Sequence, residues 1–118
     1  MFAASALSLA ALEYLAHIDP DDVPDDLVSV AIHLPAAAVI ASLEASGLPS
    51  DWRSTMAPAS CQRIGDEWIR SARTLGLIVP SVLIPDESNV LLNPHHPDMA
   101  TVQVARVNAF AFNPRLLR

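Results

Sequence analysis

The chain has 118 residues, enough for one hydrophobic core and one domain, and a composition of 52% hydrophobic and 17% charged residues argues against disorder. Its net charge is −6 and all 7 basic residues are Arg, dispersed without a cluster, which disfavours direct nucleic-acid binding. One cysteine, Cys61, allows no intrachain disulfide and suits a reducing compartment, and no apolar run reaches the length of a membrane span.

The opening MFAASALSLAALEYLAH looks superficially like a signal peptide, but it lacks a basic start and carries Glu13 inside the apolar run. The expectation is a cytoplasmic protein with no membrane segment. Ser5 to His17 reads as a helix of Ala and Leu, stopped by Asp19-Pro20. At 100° per residue, Leu7, Ala11, Tyr14, Leu15 and Ile18 share one face. Glu13 and His17 leave from another. Glu13 has Leu9, Ala10 and Ala16 as its helix neighbours, so it either faces solvent or is held in a site. Helix composition by itself favours solvent.

Asp19 to Asp26 (DPDDVPDD) reads as a solvated acidic turn, since it lacks the Gly and terminal Glu of an EF-hand loop. Leu27 to Leu34 alternates as a strand, with Val28, Val30 and Ile32 on one side and Ser29 and His33 on the other. Ala36 to Ser46 has helix composition and a Gly47 stop, which predicts a short helix. Leu48 to Arg53 is a loop anchored by Trp52. Ala59 to Arg73 is a second helix, with Pro58 near its start and Cys61, Ile64, Trp68 and Ala72 on its inner face. Cys61 reads as a structural thiol rather than a nucleophile.

Leu77 to Asp98 holds three short apolar runs punctuated by prolines. Leu77–Val79 and Val82–Ile84 are expected as strands ending at Pro80 and Pro85, and Val90–Leu92 as a third, closed by Asn93-Pro94. Asp86 to Asn89 is the polar turn between the last two. Ser81 follows a proline at a strand end, where site residues often sit, although one Ser and one Asn specify no reaction. His95 and His96 are adjacent and chelate one metal poorly, so no metal site is expected. Thr101 to Arg106 alternates as a strand, Asn108 separates it from a last strand at Ala109 to Phe112, and Asn113-Pro114 ends it. Helices followed by short strands predict an α+β domain spanning residues 1–118.

Read as an ordered set, several segments resemble a known family. They are Leu9-Ala10-Ala11-Leu12-Glu13, Leu48-Pro49-Ser50-Asp51-Trp52, Ile64-Gly65-Asp66-Glu67-Trp68-Ile69, Val79-Pro80-Ser81, Asn89 to Pro97 and Phe112-Asn113-Pro114-Arg115. Together they are similar to the RES domain, named for its Arg, Glu and Ser, the toxin half of bacterial RES–Xre toxin–antitoxin pairs. The resemblance implies an ADP-ribosyltransferase-like fold with a split, mostly antiparallel sheet and NAD bound in its cleft. It implies cleavage of the nicotinamide–ribose bond by hydrolysis, phosphorolysis or ADP-ribosyl transfer, with NAD as a substrate, no resident cofactor, and an Xre-type helix-turn-helix antitoxin as partner.

By matching position, the resemblance makes Glu13 the family's Glu and Ser81 its Ser. Glu13 would stabilise an oxocarbenium-like ribose, and Ser81 would hydrogen-bond ribose or carboxamide. Asn89 is a further candidate, for a substrate contact or for capping its turn. The family also carries an Arg in a Gly-Gly-Arg-Trp segment, and a Tyr ahead of the Glu-bearing helix. This chain begins past that Arg, and Phe2, able to stack on a ring, stands at the Tyr position. A distant Arg such as Arg53 or Arg73 is then a candidate to reach the cleft from elsewhere. Three expectations stay open: an NAD-consuming toxin, a truncated, inactive protein of the same fold that only binds an antitoxin, and a small α+β domain of unrelated function. A sheet edge exposed by the short N-terminus would also permit a homodimer.

Overall fold

The computed structural model describes residues 1–54 and 59–118. Along them run β1 (Phe2–Ala4), α1 (Leu7–Ala16), β2 (Val28–His33), β3 (Ile40–Ser42), α2 (Ala59–Ser71), β4 (Gly76–Pro80), β5 (Ser88–Leu92) and β6 (Gln103–Ala109). Four strands form one sheet in the order β1-β5-β4-β3, while β2 and β6 form a separate antiparallel ribbon. The architecture is therefore α+β. Only β3 and β4 run parallel; every other pairing among the described residues is antiparallel.

The prolines act where expected. Pro80 is the last residue of β4, opposite Ser88. Asp19, His96 and Asn113 each precede a proline and accept the backbone N–H two residues on, which starts a 3₁₀ turn. The acidic run at Asp19 is thus a turn held by its own side chain.

Four expectations are corrected. Ala36 to Ser46 is not a helix. Pro35 opens a turn in which Ala38 N–H donates to its carbonyl, and Ile40–Ser42 pairs with Gly76–Ile78 as β3. A Cβ on Gly76 would stand 2.8 Å from Ile40 Cδ1, the movable end of that side chain. A long-range ladder has outcompeted a weak local preference. Val82–Ile84 is not a strand either, for a reason that belongs to the site below. The two strands expected at Thr101–Arg106 and Ala109–Phe112 are one, β6, running through Asn108, while Thr101 is in a 3₁₀ turn and Phe110–Phe112 in irregular backbone. Ala72, expected on the inner face of the second helix, lies beyond its end with φ 50°. Pro58, its expected start, lies outside the described residues.

The apolar core is small: Leu9 of α1, Leu75, Leu77 and Leu92 of the four-stranded sheet and its approach, and Phe112. The C-terminal end of α2 is tied to that sheet by polar links. Trp68 Nε1 donates to Thr74 Oγ1 (2.8 Å), and Asn93, fully buried, donates from Nδ2 to the Ile69 carbonyl (3.0 Å). The β2–β6 ribbon stands apart. Val28, Val30, Val104 and Val107 are exposed on it, and the radius of gyration of 15.3 Å exceeds the roughly 13.5 Å of a tightly packed chain this long. A cleft of about 750 Å³ opens between the ribbon and the α1–β1 edge of the sheet. None of the described helices is long and apolar enough to cross a membrane.

Candidate active site

Helix α1 is apolar nearly all round, so its sequence cannot say which side is buried. The structure turns Leu9 and Glu13, one helical turn apart, toward the sheet. The face expected to pack, with Leu7, Ala11 and Tyr14, instead lines the cleft. His17 stays near Glu13 but reaches its backbone: Nδ1–H donates to the Glu13 carbonyl at 2.7 Å, closing the helix end.

Glu13 is 9% exposed, and its carboxylate receives two hydrogen bonds from distant parts of the chain. Ser81 Oγ donates to Glu13 Oε1 at 2.8 Å, and Asn89 Nδ2 donates to the same oxygen at 2.8 Å. Both donors converge on Oε1. Oε2 has no donor among the described residues. The solvent-facing alternative for Glu13 is therefore overturned, and three of the four residues singled out from sequence form one buried cluster.

Ser81 is fully buried, and every bond its hydroxyl can make is in use. Its one proton goes to Glu13, and its two lone pairs accept the N–H groups of Leu83 and Ile84, both at 3.1 Å. These two bonds remove the donors that a strand at Val82–Ile84 would need, so residues 82–87 become a loop. Ser81 N–H donates to the Glu87 carbonyl (2.9 Å), and Arg53 Nε donates to the Val82 carbonyl (3.1 Å), fixing the loop from both sides. In this arrangement the hydroxyl has no capacity left for a ligand. It positions the carboxylate.

Asn89 is 4% exposed on β5, and its amide is oriented with Nδ2 toward Glu13 Oε1. Its Oδ1 is left buried without a partner. An orphaned acceptor costs about 1–3 kcal/mol, much the same as one charge-assisted hydrogen bond contributes. Asn89→Leu is therefore expected to change folding stability by less than about 1 kcal/mol, because the lost donor and the lost orphan offset each other. Chemical denaturation measures this. A loss well above that value would mean that Oδ1 has a partner in solution.

Phe2 lies elsewhere, on β1, exposed and lining the cleft. Glu13, Ser81 and Asn89 do not line it. They sit behind its α1–β5 wall, which their neighbours Ala10, Tyr14 and Val90 supply. The cleft also carries residues to which the sequence reading gave no role in a site. Tyr14 stacks on Phe112 with ring centroids 6.0 Å apart, and Phe110 meets Phe112 edge-on at 5.0 Å. Arg106, Asn108 and Phe110 line the cleft at a spacing of two, a strand signal that was present in the sequence. Neither Arg53 nor Arg73 lines it. Among the described residues no group of three or more His, Cys, Asp or Glu side chains could hold a metal, and His95 and His96 do not gather one.

The RES domain family matches residues 1–113. The chain is 39% identical over 117 residues to a protein of Yersinia enterocolitica named Toxin Res, covering 98% of this chain and 76% of that one. It is 36% identical over 121 residues to the Prs ADP-ribosylating toxin of a Sphingobium species, covering 100% of this chain and 74% of that one. A Pseudomonas putida protein, also named Toxin Res, is 33% identical over 116 residues, covering 97% of this chain and 75% of that one.

Proposed function

Because the chain belongs to the RES domain family, we propose that it is a toxin that consumes NAD, with Glu13 as its catalytic carboxylate. The observation that carries this reading is the convergence of Ser81 and Asn89 on one oxygen of a buried carboxylate, which leaves the other oxygen free. The names of two similar proteins, Toxin Res and Prs ADP-ribosylating toxin, support it.

The chemistry follows from that geometry. The bond between ribose C1′ and the nicotinamide nitrogen breaks, and its electron pair neutralises the pyridinium ring. The ribose is left with oxocarbenium character. A carboxylate already oriented and largely out of water stabilises that charge without reorganising. Water, phosphate or a protein side chain then bonds to C1′ and gives up its proton, for which Glu13 Oε2 is the available base. Ser81 acts through Glu13 as a positioning residue. Asn89 holds the carboxylate from the other side, and its Oδ1 is suited to a donor on ribose or carboxamide once substrate shifts it. NAD is spent as a substrate and not kept as a cofactor.

The split between the four-stranded sheet and the β2–β6 ribbon fits an ADP-ribosyltransferase-like fold with NAD in the cleft. The partner in this reading is an Xre-type helix-turn-helix antitoxin, and the place of action is the cytoplasm. The test is incubation of the purified protein with NAD, with and without phosphate, followed by chromatography of the products. Release of nicotinamide equal to the NAD lost is the expected result. No loss of NAD and no nicotinamide would overturn the reading and favour a protein of this fold that only binds its antitoxin.

A further inference from the structure

The cleft beside the carboxylate cluster has one unusual feature. Among the described residues that line it, Arg106 carries the only side-chain charge. No carboxylate pairs with it among the described residues, where the one ion pair within reach of a salt bridge is His96 with Asp98. The rest of the lining is almost entirely apolar, with Ser5, Ser29, Asn108 and the Tyr14 hydroxyl as the other polar side chains. An exposed guanidinium at the mouth of a mostly apolar cleft, with no carboxylate beside it, is free to pair with an anion.

A second observation is independent of charge. Ala31 pairs with Arg106 while Ile32 pairs with Val104, so Ala105 is an extra residue in β6. Such bulges bend a strand and re-aim the side chains beside them. Here the break falls immediately before Arg106. Beyond it, Arg106, Asn108 and Phe110 line the cleft in regular alternation, while Val104 before it does not. The volume of about 750 Å³ lies in the range of small-molecule sites, and the Tyr14–Phe112–Phe110 group offers flat apolar surface for a ring.

We propose that Arg106 is the phosphate-gripping residue of this cleft and binds the pyrophosphate of a dinucleotide whose ring lies on the Tyr14–Phe112–Phe110 wall. The inference rests on the NAD reading above and adds to it the residue that anchors the substrate. The guanidinium forms paired N–H bonds to phosphate oxygens, which an ammonium or amide cannot reproduce. Tyr14 belongs to this wall and follows Glu13 in α1; the Glu13 side chain turns away from the cleft into the carboxylate cluster behind it.

The test compares Arg106→Gln, Arg106→Lys and a surface control, Arg115→Gln, with the unaltered chain by calorimetric titration of NAD, ADP-ribose and nicotinamide riboside. Arg106 is exposed on β6, so neither substitution at it disturbs the core. Arg106→Gln is expected to weaken ADP-ribose and NAD by about 10–100-fold, with Arg106→Lys intermediate. Nicotinamide riboside, which has no phosphate, should bind within twofold of its original affinity. Affinity for ADP-ribose should also lose part of its salt dependence in Arg106→Gln but not in Arg115→Gln. If the unaltered chain binds ADP-ribose and Arg106→Gln binds it equally well, Arg106 is not the anchor and the NAD reading stands. If the unaltered chain binds neither NAD nor ADP-ribose, both fall together.

Discussion

Glu13→Gln is expected to lower NAD turnover by about 10²–10³-fold while leaving the protein folded. The substitution keeps the size and one oxygen of the side chain. Ser81 and Asn89, which both donate to Oε1 at 2.8 Å, can still donate to the amide oxygen. The lost quantity is negative charge beside the developing ribose cation, and in a site largely closed to water that charge is not replaced by solvent. Folding stability should move by only about 1 kcal/mol, since weaker neutral hydrogen bonds are offset by no longer burying a carboxylate. Steady-state nicotinamide release and a thermal melt on the same sample separate the two effects. Glu13→Ala is the contrast. It leaves the Ser81 hydroxyl and Asn89 amide buried without an acceptor, so it should also lose roughly 2–4 kcal/mol of stability. Retained turnover in a folded Glu13→Gln variant would remove Glu13 from the reaction.

Ser81→Ala acts on structure first and activity second. The hydroxyl makes three hydrogen bonds from a fully buried position, to Glu13 Oε1 and from the N–H groups of Leu83 and Ile84. At about 1 kcal/mol net for each, the expected loss is roughly 2–4 kcal/mol, or about 10 °C in melting temperature for a chain of this size. Loop 82–87 carries the clearest signature. Amide hydrogen exchange at Leu83 and Ile84 should quicken more than at the β4–β5 ladder, because these two donors lose their acceptor. Turnover should fall by about tenfold or more, since a carboxylate held only by Asn89 samples several rotamers. The two readouts distinguish a positioning residue from a substrate contact. A serine that touches substrate alone would leave exchange at Leu83 and Ile84 unchanged on substitution.

Much of the fold was legible locally. The Ala/Leu composition of residues 5–17 predicts a helix, and Leu7–Ala16 is one. Alternation in residues 27–34 predicts β2, and the runs before Pro80 and Asn93 predict β4 and β5. The failures share a cause. Residues 36–46 have helical composition, but Ile40–Ser42 complete a sheet edge against a strand 36 residues away. Val82–Ile84 are apolar and β-branched enough for a strand, but a single neighbouring hydroxyl takes two of their three donors, those of Leu83 and Ile84. Asn108 looks like a strand terminator and is an interior strand residue, because its partner Ser29 lies on β2. Local propensities are worth tenths of a kcal/mol per residue, and one long-range hydrogen-bond ladder exceeds them.

The sequence by itself determined where chain direction changes, since proline lacks a donor wherever it stands, and it determined the ordered motif set that marks the family. It also singled out Glu13, Ser81 and Asn89. Only the tertiary structure decided that Glu13 is buried, because a helix apolar on all sides does not say which side meets the sheet. The bonds that hold it come from 68 and 76 residues away. The same folding saturates Ser81, orphans Asn89 Oδ1 and brings Arg106 to a cleft with Tyr14, which lies 92 positions earlier in the chain. Burial and hydrogen-bond satisfaction are properties of what surrounds a residue, and those surroundings exist only once the chain has closed on itself.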